Sequence, residues 1–205
     1  MFLNLQIFLQ RMIFPENVGF PIGENGQSQY YMMEVHYDNP KELKGVTFDT
    51  GVRTYYTPNL REEDAGIMIL GHITNPSLLV PPQTSDLIVA GHLSPECSKT
   101  YFPQDGIQAF NSLLHGHLSG RKLKLRHFRN GEELPWLDND DAYDFNFQQN
   151  KPLQQFRQIL PNDQLTFECT YDSNWHENRE AITGGLTTRD EMPTIPKSIL
   201  FILVT

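Results

Sequence analysis

Apolar and polar residues alternate along much of this chain with a period of two, and no stretch sustains a helical period. Residues 122–128 (KLKLRHF) alternate cationic and apolar side chains, the pattern of a half-buried strand. They lead into Asn130-Gly131, the strongest two-residue signal for a β-hairpin. Residues 164–171 alternate again and put Leu165, Phe167, Cys169 and Tyr171 on one face. Further runs with strand character lie at 29–37 (QYYMMEVHY), 51–57 (GVRTYYT), 85–91 (SDLIVAG) and 107–118, which contains LLHGHL. Turn signals separate them: Pro21, Gly23 to Gly26, Asn39-Pro40, Asn75-Pro76, Pro81-Pro82, Pro161-Asn162-Asp163 and Gly184-Gly185. Regular strands with turn chemistry between them predict an all-β protein, an antiparallel β-sandwich with little helix.

Composition narrows the function classes. The 205 residues carry 16 Lys+Arg against 25 Asp+Glu, a net charge of −9, so phosphate backbones and anionic lipid are not attracted at long range. Nucleic acid and a strong membrane partner are therefore not expected. The apolar N-terminal run has its first cation at Arg11, behind the run, the reverse of a secretory signal. The C-terminal run IPKSILFILVT falls short of the ~20 apolar residues of a membrane helix. By count alone, Cys97 and Cys169 leave a bridge, or two separate thiols, open.

Several candidate motifs fail on their residues. His176-Glu177-Asn178-Arg179-Glu180 has Glu where a zinc-protease helix needs its second His. The acidic run 138–144 lacks the glycine and the final glutamate of a calcium loop. The Gly23 to Gly26 tract has no phosphate-loop lysine. What remains is His115-Gly116-His117. On a strand, both imidazoles project from one face with roots about 7 Å apart, and small Gly116 points away between them. That spacing suits convergence on one metal ion; two histidines sharing a polar face is the plainer alternative.

The tract GIQAFNSLLHGHLSGRKLKLRHFRNGEEL resembles the His-x-His strand of the copper type II ascorbate-dependent monooxygenases. FPENVGFPIGENGQSQYYMMEVHYDNP, TYYTPNLREEDAGIMILG, YDFNFQQ, ILPNDQLTFECTYDSNW and GGLTTRDEM are similar to further segments of that family, in family order. The resemblance runs from about Phe14 to Met192, and LRHFRNGEE and DFNFQ lean toward the dopamine-β-hydroxylase-like branch. It implies an unmatched segment at 1–13, the end of a first copper domain at 14–40, a C-terminal copper monooxygenase domain of jelly-roll-like form at 41–192, and an unmatched tail at 193–205.

The resemblance implies that His115, His117 and Met192 hold the oxygen-activating copper. A thioether favours Cu(I) and imidazole serves both oxidation states. His36 matches one histidine of the family's second copper site, whose adjacent His-His pair this chain lacks. The implied reaction is hydroxylation of a C–H bond of a small substrate, with O₂ as oxidant and ascorbate as reductant, in the secretory pathway or outside the cell. A carboxylate found in amine-oxidising members is replaced by Ile69, so no aminium counter-charge is implied there. The family partners of Cys97 and Cys169 are separate and missing, so no bridge between these two is expected. The implied chain is incomplete and not competent by itself. Two other readings stay open: a sandwich that binds copper without turnover, and a recognition module whose histidines are structural.

Overall fold

In a computed structural model, the described residues are 12–23, 26, 28, 30–32, 39, 41, 43–47, 49, 51–71, 78–175, 180–185, 190 and 197–204. Their elements, in chain order, are β1 (Val18–Gly19), β2 (Glu63–Leu70), β3 (Leu79–Val80), β4 (Leu87–Leu93), α1 (Pro95–Tyr101), β5 (Ile107–His115), β6 (Gly120–Arg129), β7 (Glu132–Asp140), β8 (Lys151–Ile159), β9 (Gln164–Tyr171), β10 (Ile182–Thr183) and β11 (Lys197–Val204). A 3₁₀ turn at Phe145–Phe147 lies between β7 and β8.

The predicted alternation is realised in the four-stranded sheet β4-β9-β6-β7. Leu123, Leu125 and His127 of β6 point inward, and across the antiparallel ladder Cys169, Phe167 and Leu165 of β9 face them in register. Asn130 and Gly131 have φ of 53° and 81°, the two positive values that a tight hairpin of matching twist requires, and they join β6 to β7. The five-stranded sheet runs β1-β2-β11-β5-β8, antiparallel except for β1 beside β2. One apolar core lies between the sheets, built from Ile107, Ala109 and Leu114 of β5, Ile159 of β8 and the inward residues of β6 and β9. The expected antiparallel sandwich is what forms.

A second, smaller core gathers Val18, Ala65, Phe110, Leu113 and Leu203, with Met12, Phe14 and Phe20 against it. The Phe14 and Phe110 rings lie 5.8 Å apart. Residues 12–20 thus cover apolar surface of the five-stranded sheet that water would otherwise meet.

Two expectations are corrected, and one element is added. Residues 51–57 form no strand: Tyr55 and Tyr56 are largely exposed, and β propensity without a neighbouring strand does not make a sheet. In the run 29–37, residues 30–32 are also not strand, and 29 and 33–37 lie outside the described residues. The segment after β4 is a helix, signalled by Ser94, whose hydroxyl accepts from the Cys97 amide, followed by Pro95 in the first turn. Cys97 on α1 and Cys169 on β9 are not joined to each other, as expected.

A buried polar cluster fastens β6 to the turn before β9. His127 donates from Nε2 to Asp163 Oδ2 at 2.7 Å, and Arg129 donates to both carboxylate oxygens at 2.8 and 2.7 Å. The Leu160 amide donates to the same carboxylate. Burial pushes the His127 pKa down, and this outweighs the upward pull of Asp163. For Asp163, burial pushes up, but Arg129, the Leu160 amide and His127 together hold it below the ordinary carboxylate value. Both groups refuse protons in the fold that the unfolded chain accepts. The His127 contribution is therefore full above pH ~6.5 and drains as pH falls below it; that of Asp163 drains further down, below ~3.9. Melting temperature should fall between pH 7 and pH 5, and His127→Gln should flatten that slope. An unchanged slope in the variant would contradict this.

Candidate metal centre

β5 ends at His115, and β11 begins opposite it at Lys197. No partner strand in the described sheet continues past this point. Gly116 instead gives both its backbone groups to one side chain: its amide donates to the Tyr143 hydroxyl at 2.9 Å, and that hydroxyl donates to its carbonyl at 2.6 Å. The chain turns at residues 118–119 into β6. His117 therefore stands beyond the strand, not one pleat along it as the spacing predicts. The rings nonetheless come together. Their centroids are 5.4 Å apart with planes at 81°, and each residue is only 5% exposed.

The hydrogen-bond partners of the two imidazoles indicate which ring nitrogen carries the proton. His117 Nδ1 lies 2.7 Å from the backbone carbonyl of Asp190, which can only accept, so Nδ1 is the donor. His115 Nδ1 meets Gln148 Oε1. The Gln148 amide is oriented by its own NH₂, which donates to the Phe145 carbonyl at 2.7 Å, so the oxygen faces His115 and Nδ1 again donates. In neutral imidazole the lone pair then belongs to Nε2 in both rings. Ligand histidines commonly have this arrangement, with one nitrogen on the metal and the other donating to a fixed oxygen.

Among the described residues, no three His, Cys, Asp or Glu side chains converge on a metal position. Two buried nitrogen donors fit a copper ion, for which imidazole is a suitable ligand. Met192 and His36 lie outside the described residues. Reading by residue type missed Tyr143, Phe145 and Gln148; their segment, YDFNFQQ, was legible only as a family motif. The edge of the Phe145 ring meets His117, centroids 5.8 Å apart. Tyr143 and Phe145 also line an open cleft of about 580 Å³, with Leu118, Arg121 and Trp175. No helix among the described residues is long and apolar enough to cross a membrane.

Residues 63–195 match the C-terminal domain of the copper type II ascorbate-dependent monooxygenases, and residues 7–44 match their N-terminal domain. The chain is similar to DBH-like monooxygenase protein 1 of Gallus gallus, with 41% identity over 183 residues, 87% of this chain and 29% of that protein. It is 36% identical over 179 residues to dopamine beta-hydroxylase of Canis lupus familiaris, 87% of this chain and 28% of that protein. It thus spans less than a third of the length of these curated relatives. With about two thirds of its length under the C-terminal domain match, the chain belongs to the copper type II ascorbate-dependent monooxygenase family.

Proposed function

We propose that this chain supplies the oxygen-activating half of a monooxygenase that hydroxylates a C–H bond of a small substrate, with O₂ and ascorbate. The observation that carries the proposal is the buried His115/His117 pair, each ring donating Nδ1–H to a protein oxygen. Their Nε2 lone pairs would hold the copper, with Met192 as the third ligand. Asp190, whose carbonyl touches His117, precedes Met192 by two positions, and two residues of chain reach at most about 7 Å. Copper in such a site supplies one-electron chemistry with O₂ when reduced. The protein's own part is to exclude water from the two rings, fix their tautomers and seat the substrate in the cleft beside Phe145. By family resemblance the setting is secretory or extracellular.

Reconstitution with Cu(I) under reducing conditions tests the assignment. One tightly bound ion per chain is expected, weakened by Met192→Ala and abolished by His115→Ala with His117→Ala. Tight binding that survives the double histidine change would refute it. The 205-residue chain is also expected to consume oxygen without coupled product. Hydroxylation takes two external electrons, one cuprous ion carries one, and in this sequence only His36 represents the second ligand set. Product formed in proportion to oxygen consumed, with phenethylamines or other small substrates, would contradict this second expectation.

A further inference from the structure

One short segment touches all three residues of the His-Gly-His motif. Gln148 meets His115, Tyr143 holds both backbone groups of Gly116, and Phe145 packs its ring against His117. Residues 143–148 are themselves fixed. The Tyr143 amide donates to the Arg121 carbonyl at 2.9 Å, the Asp144 side chain caps the 3₁₀ turn by accepting from the Asn146 amide at 2.8 Å, and Gln148 closes the turn on the Phe145 carbonyl. Tyr143 and Gln148 are only 5% and 8% exposed, so these hydrogen bonds form in a poorly hydrated setting where they are strong.

We propose that this segment is a positioning brace, and that Gln148 is the residue that sets the His115 tautomer for metal binding. The inference rests on the copper assignment above, but its physical content is independent of copper. An imidazole in a dry site takes the tautomer whose N–H finds an acceptor. At His115 the acceptor is an amide oxygen with one orientation open to it, because the NH₂ of the same amide is engaged by Phe145. With Nδ1–H fixed, Nε2 keeps its lone pair. Without the acceptor, the Nε2–H tautomer becomes accessible and must be given up before a metal can bind. Tyr143 acts on the backbone: by engaging both the amide and the carbonyl of Gly116, it holds the turn that brings the two rings together.

Three variants separate these roles. Gln148→Leu keeps the bulk and removes the acceptor; Gln148→Glu keeps an acceptor in place; Tyr143→Phe removes only the hydroxyl. In the metal-free wild-type chain, long-range ¹H–¹⁵N correlation spectra should show His115 protonated at Nδ1. The Leu variant should shift toward Nε2–H, and the Glu variant should retain Nδ1–H. Cu(I) affinity, measured by competition with a colorimetric chelator, should fall 10- to 100-fold in the Leu variant and be rescued in the Glu variant. Tyr143→Phe should weaken binding while leaving the His115 tautomer unchanged.

Nε2–H at His115 in the wild-type apo protein would overturn the brace, as would equal Cu(I) affinity in the wild type and the Leu variant. Absence of copper binding in the wild type, with Nδ1–H confirmed, would instead remove the copper assignment and leave the tautomer control standing. Equal losses in the Leu and Glu variants would reduce Gln148 to packing and also overturn the proposal.

Discussion

Deleting residues 197–204 is expected to abolish cooperative folding. β11 is not an edge: its backbone pairs with β2 from Ser198 to Val204 and with β5 from Lys197 to Leu203. Without it the five-stranded sheet falls into β1-β2 and β5-β8, and isolated two-stranded ribbons are marginal in water. Ile202 leaves the main core and Leu203 the smaller one, so both apolar clusters open together. Two long unpaired edges, at β2 and β5, would then be exposed to other chains. The expected result is a chain without a sharp thermal transition by circular dichroism, with light scattering that grows with concentration. A milder version, Leu203→Ala, should cost about 2–5 kcal/mol. A chain ending at residue 196 that melts cooperatively at the original temperature would show that β11 is dispensable.

Asp163→Ala is expected to be among the most damaging single substitutions. The carboxylate is 1% exposed and accepts from His127, Arg129 and the Leu160 amide, which the variant leaves without their acceptor. Removing one partner of a buried charged network typically costs 3–5 kcal/mol, because the remaining groups stay desolvated and uncompensated. For a chain of this size that lowers the melting temperature by on the order of 10 °C. Asp163→Asn should cost less, since one oxygen still accepts. Urea denaturation of the three proteins measures the difference; a loss below about 1 kcal/mol for Ala would mean the cluster relaxes to water.

Where one face of a strand is buried and the other wet, the sequence announces it. Leu123 and Leu125 against Phe167 and Cys169, and the Asn130-Gly131 hairpin, are legible because period-two alternation and positive-φ turn residues are local signals. β11 is not legible in this way. SILFILV is a continuous apolar run, which specifies burial on both sides but neither a partner nor a register, and by resemblance it belonged to an unmatched tail. Tyr55 and Tyr56 fail in the opposite direction, with strand-forming residues that pair with no strand among the described residues. At the candidate metal centre the histidines were legible from spacing. Tyr143 and Gln148 were not, because a residue that hydrogen-bonds to Gly116 or His115 from 27 or 33 positions away leaves no periodic trace.

The central place of β11 also sets an order of events during synthesis. Residues 87–171, which hold the whole of the four-stranded sheet, leave the ribosome before any of 197–204. That sheet can form from the β6–β7 hairpin and the longer pairings of β9 with β6 and β4 while β2 and β5 still wait for β11, since Val204 must find Asp64 140 positions back and Leu203 must find Gln108 95 positions back. Such non-local closure is slow, and the nascent protein passes through a stage with one sheet made and the other split. During that interval the apolar faces of β2 and β5 are what a chaperone would meet, and a translational pause placed before residue 197 would lengthen it.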